Sequence, residues 1–413
     1  MLISKRIFLA IFAPAILLAG GPEPGLSLHY EYYYDANQVS STTPGFDARV
    51  AINPNWSVAV GAEVDGVTGA SRVSQVNVNS RAGIQVTHAV PSFIDGLSGA
   101  SAYEIRKSTD EHLHYDHDGK VMDIGYYNSS ENDYFSSAPS LDLAYDLFNR
   151  NTTLSTSFSY FDDRFVQKSL TASNTDSTTV GSRKKNLISA QAGITQSLTK
   201  LTLVSGSVQS IHSWGYLSKP YNPILVPLAA PIPIAGSTDT QYYQSTYLPE
   251  VLPRTKVALV YAGEIVQGYN FIQDRLGSFR VSFRYYTDSW ELKSRTIDGE
   301  WSQYLSESLY LRLRYRWYSQ TGVSFAYSSY NGLEPYRTAD IKYFPFTSQL
   351  FGFKFGGTFP DEWTQSWWVP ARWNIKGDYT IRNTKGNPLL YEFYSPTQNY
   401  YQFTIMTGVD YVF

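Results

Sequence analysis

Residues 403–413 read Phe-Thr-Ile-Met-Thr-Gly-Val-Asp-Tyr-Val-Phe, and this stretch decides the fold. Phe403, Ile405, Thr407, Val409, Tyr411 and Phe413 fall on one face of an extended strand; Gln402, Thr404, Met406, Gly408 and Asp410 fall on the other. Side chains alternate across a strand with a period of two, and here the alternation sorts apolar from polar. A closed β-barrel in a membrane uses such a strand directly: lipid covers the apolar outside and the polar face lines the lumen. A terminal aromatic residue after this alternation is similar to the signal that outer-membrane assembly machinery reads. That machinery is therefore an expected partner, through Phe413 and its strand.

The rest of the chain agrees. Its 413 residues are 16% aromatic and only 17% charged, an unusual pairing for a soluble protein. There is no Cys, which excludes disulfides, thiolate metal sites and cysteine nucleophiles. The net charge of −3 provides no basic footprint for nucleic acid. No internal stretch reaches the roughly 18 apolar residues of a membrane helix. At the N-terminus, Lys5 and Arg6, an apolar run over 7–18 and Ala19-Gly20-Gly21 read as an exported signal peptide, residues 1–19. Residues 20–413 then form one outer-membrane barrel domain in a Gram-negative bacterium.

Alternation recurs along the chain. Leu26, Leu28, Tyr30 and Tyr32 are followed by Phe46, Ala48, Val50 and Ile52, then by Val58, Val60, Ala62 and Val64. Further strands are expected at 111–118, 120–129, 136–147, 152–162, 186–197, 200–212, 254–266, 277–288, 294–304, 308–319, 338–357, 370–382 and 398–413. The fold class is thus all-β, an antiparallel up-and-down transmembrane barrel of about 16 strands (range 14–18), with periplasmic N- and C-termini. Short turns such as Asn53 to Asn55 alternate with long loops, and the two longest are 66–110 and 214–253. The first contains an echo, Asp65-Gly-Val-Thr-Gly-Ala-Ser71 and Asp95-Gly-Leu-Ser-Gly-Ala-Ser101, which reads either as a constriction or as two similar turns. The second carries a proline-rich apolar run over 223–234, expected to fold into the lumen as a partial plug or to dock a partner.

Several stretches come in a familiar order: Tyr32-Tyr-Tyr-Asp-Ala-Asn37, Asn128-Ser-Ser-Glu-Asn-Asp-Tyr134, Asn151-Thr-Thr-Leu154, Gly215-Tyr-Leu-Ser-Lys-Pro-Tyr221, Arg284-Tyr-Tyr-Thr-Asp-Ser-Trp290 and Arg314-Tyr-Arg-Trp-Tyr-Ser-Gln320. Over about residues 26–413 the chain resembles the uncharacterised bacterial family called domain of unknown function 3570. It departs from that pattern at Asn222 and Ser289. The resemblance implies an outer-membrane barrel without an accepted activity. It also implies a neighbourhood of periplasmic or surface lipoproteins and flavin-attaching enzymes, hence a redox-related assembly.

The face opposite the aromatic stripe should line the lumen. Early strands place Glu31, Asp47, Glu63, Asp65, Asp123 and Asp142 there, against Arg49. Later strands place Arg280, Arg284, Arg312, Arg314, Arg316, Lys342, Lys354, Arg372 and Lys376, against Asp298, Glu300, Asp340 and Asp378. Arg at mid-membrane on the lipid side costs about 2–4 kcal/mol, so the 312, 314, 316 ladder must point inward. An acidic wall facing a basic wall makes a transverse field, as in a porin constriction; alternatively, Asp298 and Glu300 neutralise a packed interior. Sixteen strands enclose too wide a lumen for side chains alone to fill. The outward Tyr30, Tyr32, Tyr285, Trp317, Trp373 and Tyr411 suit girdles at the two membrane interfaces. His112, His114 and Asp116 share a strand face and form a candidate divalent-metal site, Zn²⁺ or Cu²⁺. No other cofactor is implied, and no nucleophile elbow or phosphate loop suggests an enzyme. Two readings remain: a porin-like channel for small polar solutes, or a plugged barrel serving as scaffold or export partner of a redox assembly.

Overall fold

The computed structural model describes residues 24–35, 39–68, 72–77, 93–97, 103–168, 179–218, 224–227, 232–233, 241–242, 245–272, 275–327, 330, 332–338, 340–360, 371–384 and 399–412. The expected signal peptide, most of the Gly-Ser echo, Asn222 and the terminal Phe413 lie outside them.

Sixteen runs of alternating sequence form the wall. They are β1 (Gly25–Asp35), β2 (Ser40–Asn53), β3 (Trp56–Thr68), β4 (Tyr103–His117), β5 (Lys120–Ser130), β6 (Tyr134–Leu147), β7 (Thr152–Lys168) and β8 (Thr179–Thr199). The second half continues with β9 (Thr202–Gly215), β10 (Thr255–Ile272), β11 (Arg275–Asp288), β12 (Lys293–Tyr304), β13 (Leu309–Gln320), β14 (Phe346–Thr358), β15 (Arg372–Thr384) and β16 (Asn399–Val412). Each pairs antiparallel with the next, and β16 closes on β1 with Gly25 opposite Val412 and Tyr30 opposite Thr407. Closure leaves no strand edge unpaired, which hydrocarbon demands of a spanning sheet.

Residues on the outside are large, apolar and open. Phe351 and Phe353 are 49% and 45% exposed, and Leu313, Tyr315, Phe279, Phe283, Val58 and Leu28 are exposed like them. A continuous apolar surface of this extent calls for lipid. The two ends of the barrel differ. One carries both terminal strands' outer ends and the connections 54–55, 118–119, 148–151, 200–201 and 305–308, with a longer one at 359–371. The other carries 69–102, 216–254 and 321–345. The tight turns have local causes. Asn53 Oδ1 accepts from the amides of Asn55 and Trp56 at 2.9 and 3.0 Å. Asp118 and Gly119 take φ of 50° and 71°, the left-handed pair that a two-residue hairpin needs.

At the long-loop end, three connections, 216–254, 289–292 and 321–345, fold on each other. Leu252, Trp290, Leu292, Val323 and Phe325 make an apolar core, joined by Leu217, Tyr286, Ala326 and Tyr343. Trp290 meets Phe325 and Tyr343 edge-on at 5.4 and 5.6 Å. Ile224 packs with Tyr330 and Leu248 beside it. Val251 and Arg337 exchange backbone bonds of 3.1 and 2.8 Å, and Thr338 Oγ1 donates to Glu250 Oε1 at 2.6 Å. Burial pushes the Tyr343 phenol well above its usual range. This cap leans on the inner wall: Gln320 Nε2, inward at the end of β13, donates to the carbonyls of Lys342 and Phe344 at 2.7 and 2.8 Å. Ala258 and Val260, inward on β10, are each only 2% exposed.

Three expectations need correction. The strand expected at 338–357 starts at Phe346; Ile341–Tyr343 is a 3₁₀ turn. Asp340 Oδ1 caps that turn by accepting from the Lys342 amide at 3.0 Å, and Pro345 cannot donate to a ladder. The loop expected at 66–110 is shorter: β3 reaches Thr68 and β4 begins at Tyr103, with a small hairpin of Arg72–Asn77 and Phe93–Leu97 between them. In the loop expected at 214–253, β9 takes Gly215, and Ile224–Pro227 pairs with Ser245–Leu248.

Candidate functional site: the charged lumen

Strand pairing decides which side chains face the lumen. Asp298 lies opposite Arg316, Glu300 opposite Arg314 and Ser302 opposite Arg312, while the residues between them, Ile297, Leu313 and Tyr315, are exposed outside. The same register logic carries Glu31, Asp47, Glu63, Asp65, Asp123 and Asp142 inward on β1, β2, β3, β5 and β6. It also carries Arg280, Arg284, Lys354, Arg372 and Lys376 inward on β11, β14 and β15. Lys342 and Asp340 are the exceptions: they belong to the cap, not to the wall.

Most of these charges are paired. Asp298 receives Arg314 through Nη2 at 2.6 Å and Nε at 3.1 Å, and Arg316 through Nε at 2.6 Å. Arg312 Nε lies 3.3 Å from Glu300 and donates to Ser302 Oγ at 3.2 Å. Arg280 reaches toward Glu264 at 3.9 Å, and Lys376 pairs with Asp378 at 3.0 Å. Arg284 is buried near the cap with its guanidinium 6.0 Å from the Tyr286 ring.

The acidic wall is threaded with imidazoles. His29 stands between Asp47 and Glu63 at 3.6 and 3.4 Å. His112 spans Asp110 at 3.2 Å and Asp123 at 2.5 Å, and His114 reaches the other oxygen of Asp123 at 3.3 Å. His112 and His114 thus converge on Asp123 rather than on Asp116, and among the described residues no set of three ligands forms a metal group. Nearer the long-loop end, Asp65 is tied to Arg106 and to Thr43, and Asp163 to Lys185 and Ser136.

Sequence reasoning missed Arg106, because it fell in the supposed loop, and Lys185 and Asp163, which lie on the outer reaches of β8 and β7. Glu264 was missed as the one carboxylate in a largely apolar strand. The alternation of Ile105 with Arg106 was the available signal for the first of these.

A closed sixteen-stranded barrel with an apolar exterior and a charged interior is a membrane-spanning β-barrel. The turns at one end and the loops at the other fit the same class. The chain belongs to the family described as protein of unknown function (DUF3570), whose model matches residues 19–370. No curated protein matches it. Among solved structures it is similar to a bacterial polysaccharide outer-membrane secretin, at 8% identity and a TM-score of 0.49, over 95% of this chain and 100% of that one. CdiB from Acinetobacter baumannii gives 8% identity and a TM-score of 0.49, over 95% of this chain and 61% of that longer one. OccK2 (OpdF) from Pseudomonas aeruginosa gives 8% identity and a TM-score of 0.42, over 94% and 97%. Nothing about a substrate follows at such distances.

Proposed function

We propose that this protein is an outer-membrane channel for small polar solutes, with periplasmic termini. The observation that carries the reading is the segregation of charge around the lumen. Glu31, Asp47, Glu63, Asp123 and Asp142 occupy one arc, and Arg280, Arg312, Arg314, Arg316, Lys354 and Lys376 the other. Low-dielectric walls focus the field between such arcs, which orients water and dipolar solutes. Glu264, Asp298, Glu300 and Asp378 offset part of the basic arc, and the excess of cations there faces an excess of carboxylates opposite.

A second reading is favoured by one feature, the cap. Its apolar core and its hold on Gln320 narrow the mouth over β10 to β13. A barrel plugged there would serve as a scaffold or export partner, and the family's implied lipoprotein and flavin neighbours fit that role. Conductance of the purified, folded protein in a planar bilayer under a salt gradient separates the two. Steady current with a reversal potential away from zero supports the channel; silence from a protein shown folded by heat-modifiable mobility supports the plug.

A further inference from the structure

Neutralisation along the basic wall is uneven, and the unevenness marks a place. At Arg314 and Arg316 the wall is satisfied, since Asp298 serves both guanidinium groups. One step toward the short-turn end, the register sets Arg312, Lys354 and Lys376 directly opposite one another on β13, β14 and β15. Directly opposed positions bring Cβ atoms about 4.5–5.5 Å apart, and like charges so placed repel. Arg312 keeps Glu300 and Lys376 keeps Asp378. Lys354, between them, has no carboxylate at ion-pair distance among the described residues.

On the lumen face, the strand of Lys354 carries no side chain on either side of it. The inward neighbours of Lys354 along β14 are Gly352 and Gly356, so its own strand does not crowd it. Asp378 Oδ1 fills the space above Gly352, and the Tyr310 ring and hydroxyl lie over Gly356, at 2.9 and 2.8 Å from where a Cβ would sit. The two strand neighbours of Lys354 are thus covered by a carboxylate on one side and a phenol on the other. Its flanking cations also face the lumen more openly: Arg312 and Lys376 side chains are 40% and 35% exposed, against 24% and 21% for Arg314 and Arg316.

We propose that the row Arg312, Lys354, Lys376 is an anion-binding subsite that takes the carboxylate or phosphoryl group of a small solute. Lys354 is the primary contact, Arg312 adds a second charge-assisted bond, and the Tyr310 hydroxyl is a neutral donor beside them. A bound anion supplies the counter-charge that Lys354 lacks. A neutral solute cannot supply it. The subsite deepens the channel reading and depends on it for a role in permeation, though not for binding itself.

The test uses the folded protein in detergent, titrated with sodium phosphate by calorimetry at constant ionic strength, alongside Lys354→Met and Lys354→Arg. Saturable binding to the wild type is expected, weakened about tenfold or more in Lys354→Met and largely kept in Lys354→Arg. No saturable binding to the wild type, or equal binding by folded Lys354→Met, overturns the proposal. Bilayer recordings on the same preparations keep the two claims apart. Protein that binds phosphate through Lys354 but passes no current retains the subsite and loses the channel. Protein that conducts but binds phosphate equally with and without Lys354 retains the channel and loses the subsite.

Discussion

Asp298 holds two of the three guanidinium groups of the Arg ladder. Its two oxygens accept from Arg314 and Arg316, so Asp298→Asn removes the counter-charge of both. The variant should lose about 1–3 kcal/mol of stability, read by the temperature at which heat-modifiable mobility is lost, and should shift the reversal potential toward anions. Glu111 is the opposite case. It lies on the outward face of β4, between Val60 and Tyr126, with Oε2 buried and without a hydrogen-bond partner. A carboxylate facing hydrocarbon is a cost, so Glu111→Leu should raise stability by about 1 kcal/mol in urea unfolding from lipid vesicles. Glu63 and Glu111 look alike in composition; only the parity of their positions separates a lumen charge from a lipid-facing one.

Strands and loops obey different rules in this chain. On β13 the period of two sends Leu313 out and Arg312 and Arg314 in, so Leu313→Arg should cost about 2–4 kcal/mol in the same unfolding measurement. The cap follows ordinary core physics. Trp290 is 4% exposed, meets Phe325 and Tyr343 edge-on and donates Nε1–H to the Thr255 carbonyl at 2.9 Å. Trp290→Ala should cost the cap about 3–5 kcal/mol, leave the barrel heat-modifiable and raise conductance. Wall elements were legible because period-two patterning survives any tertiary arrangement that keeps lipid outside. The cap was not. Its core joins Leu217 and Leu252 to Val323 and Phe325, and nothing in either stretch announces the other. Reading 338–345 as strand came from the same blindness: alternation alone cannot show that Asp340 caps a turn or that Pro345 precedes the first ladder bond.

Across the whole molecule, the arrangement of ends makes a directional prediction. Both terminal strands finish at the short-turn end and the cap sits at the other. With the termini periplasmic, an epitope inserted within 234–240 should be accessible to antibody on intact cells, while one inserted at 200–201 should require a permeabilised outer membrane. The reverse pattern would invert the orientation. The field across the lumen also belongs to this scale, because it exists only when β1 to β6 close around to face β11 to β15.

Much of this protein was settled by its sequence alone: the all-β class, about sixteen strands, the apolar outside, and the parity that turns the strand charges inward, Lys342 excepted. Period-two alternation is a local property, and a membrane leaves one way to satisfy it. Tertiary structure alone decided the pairing of those charges and the mouth they lie beneath. Asp298 is shared by two arginines while Lys354 has no carboxylate at ion-pair distance among the described residues, and His112 and His114 turn to Asp123 rather than Asp116. Those choices depend on strand register and on loops meeting far from their neighbours in sequence. Single residues carry no record of either.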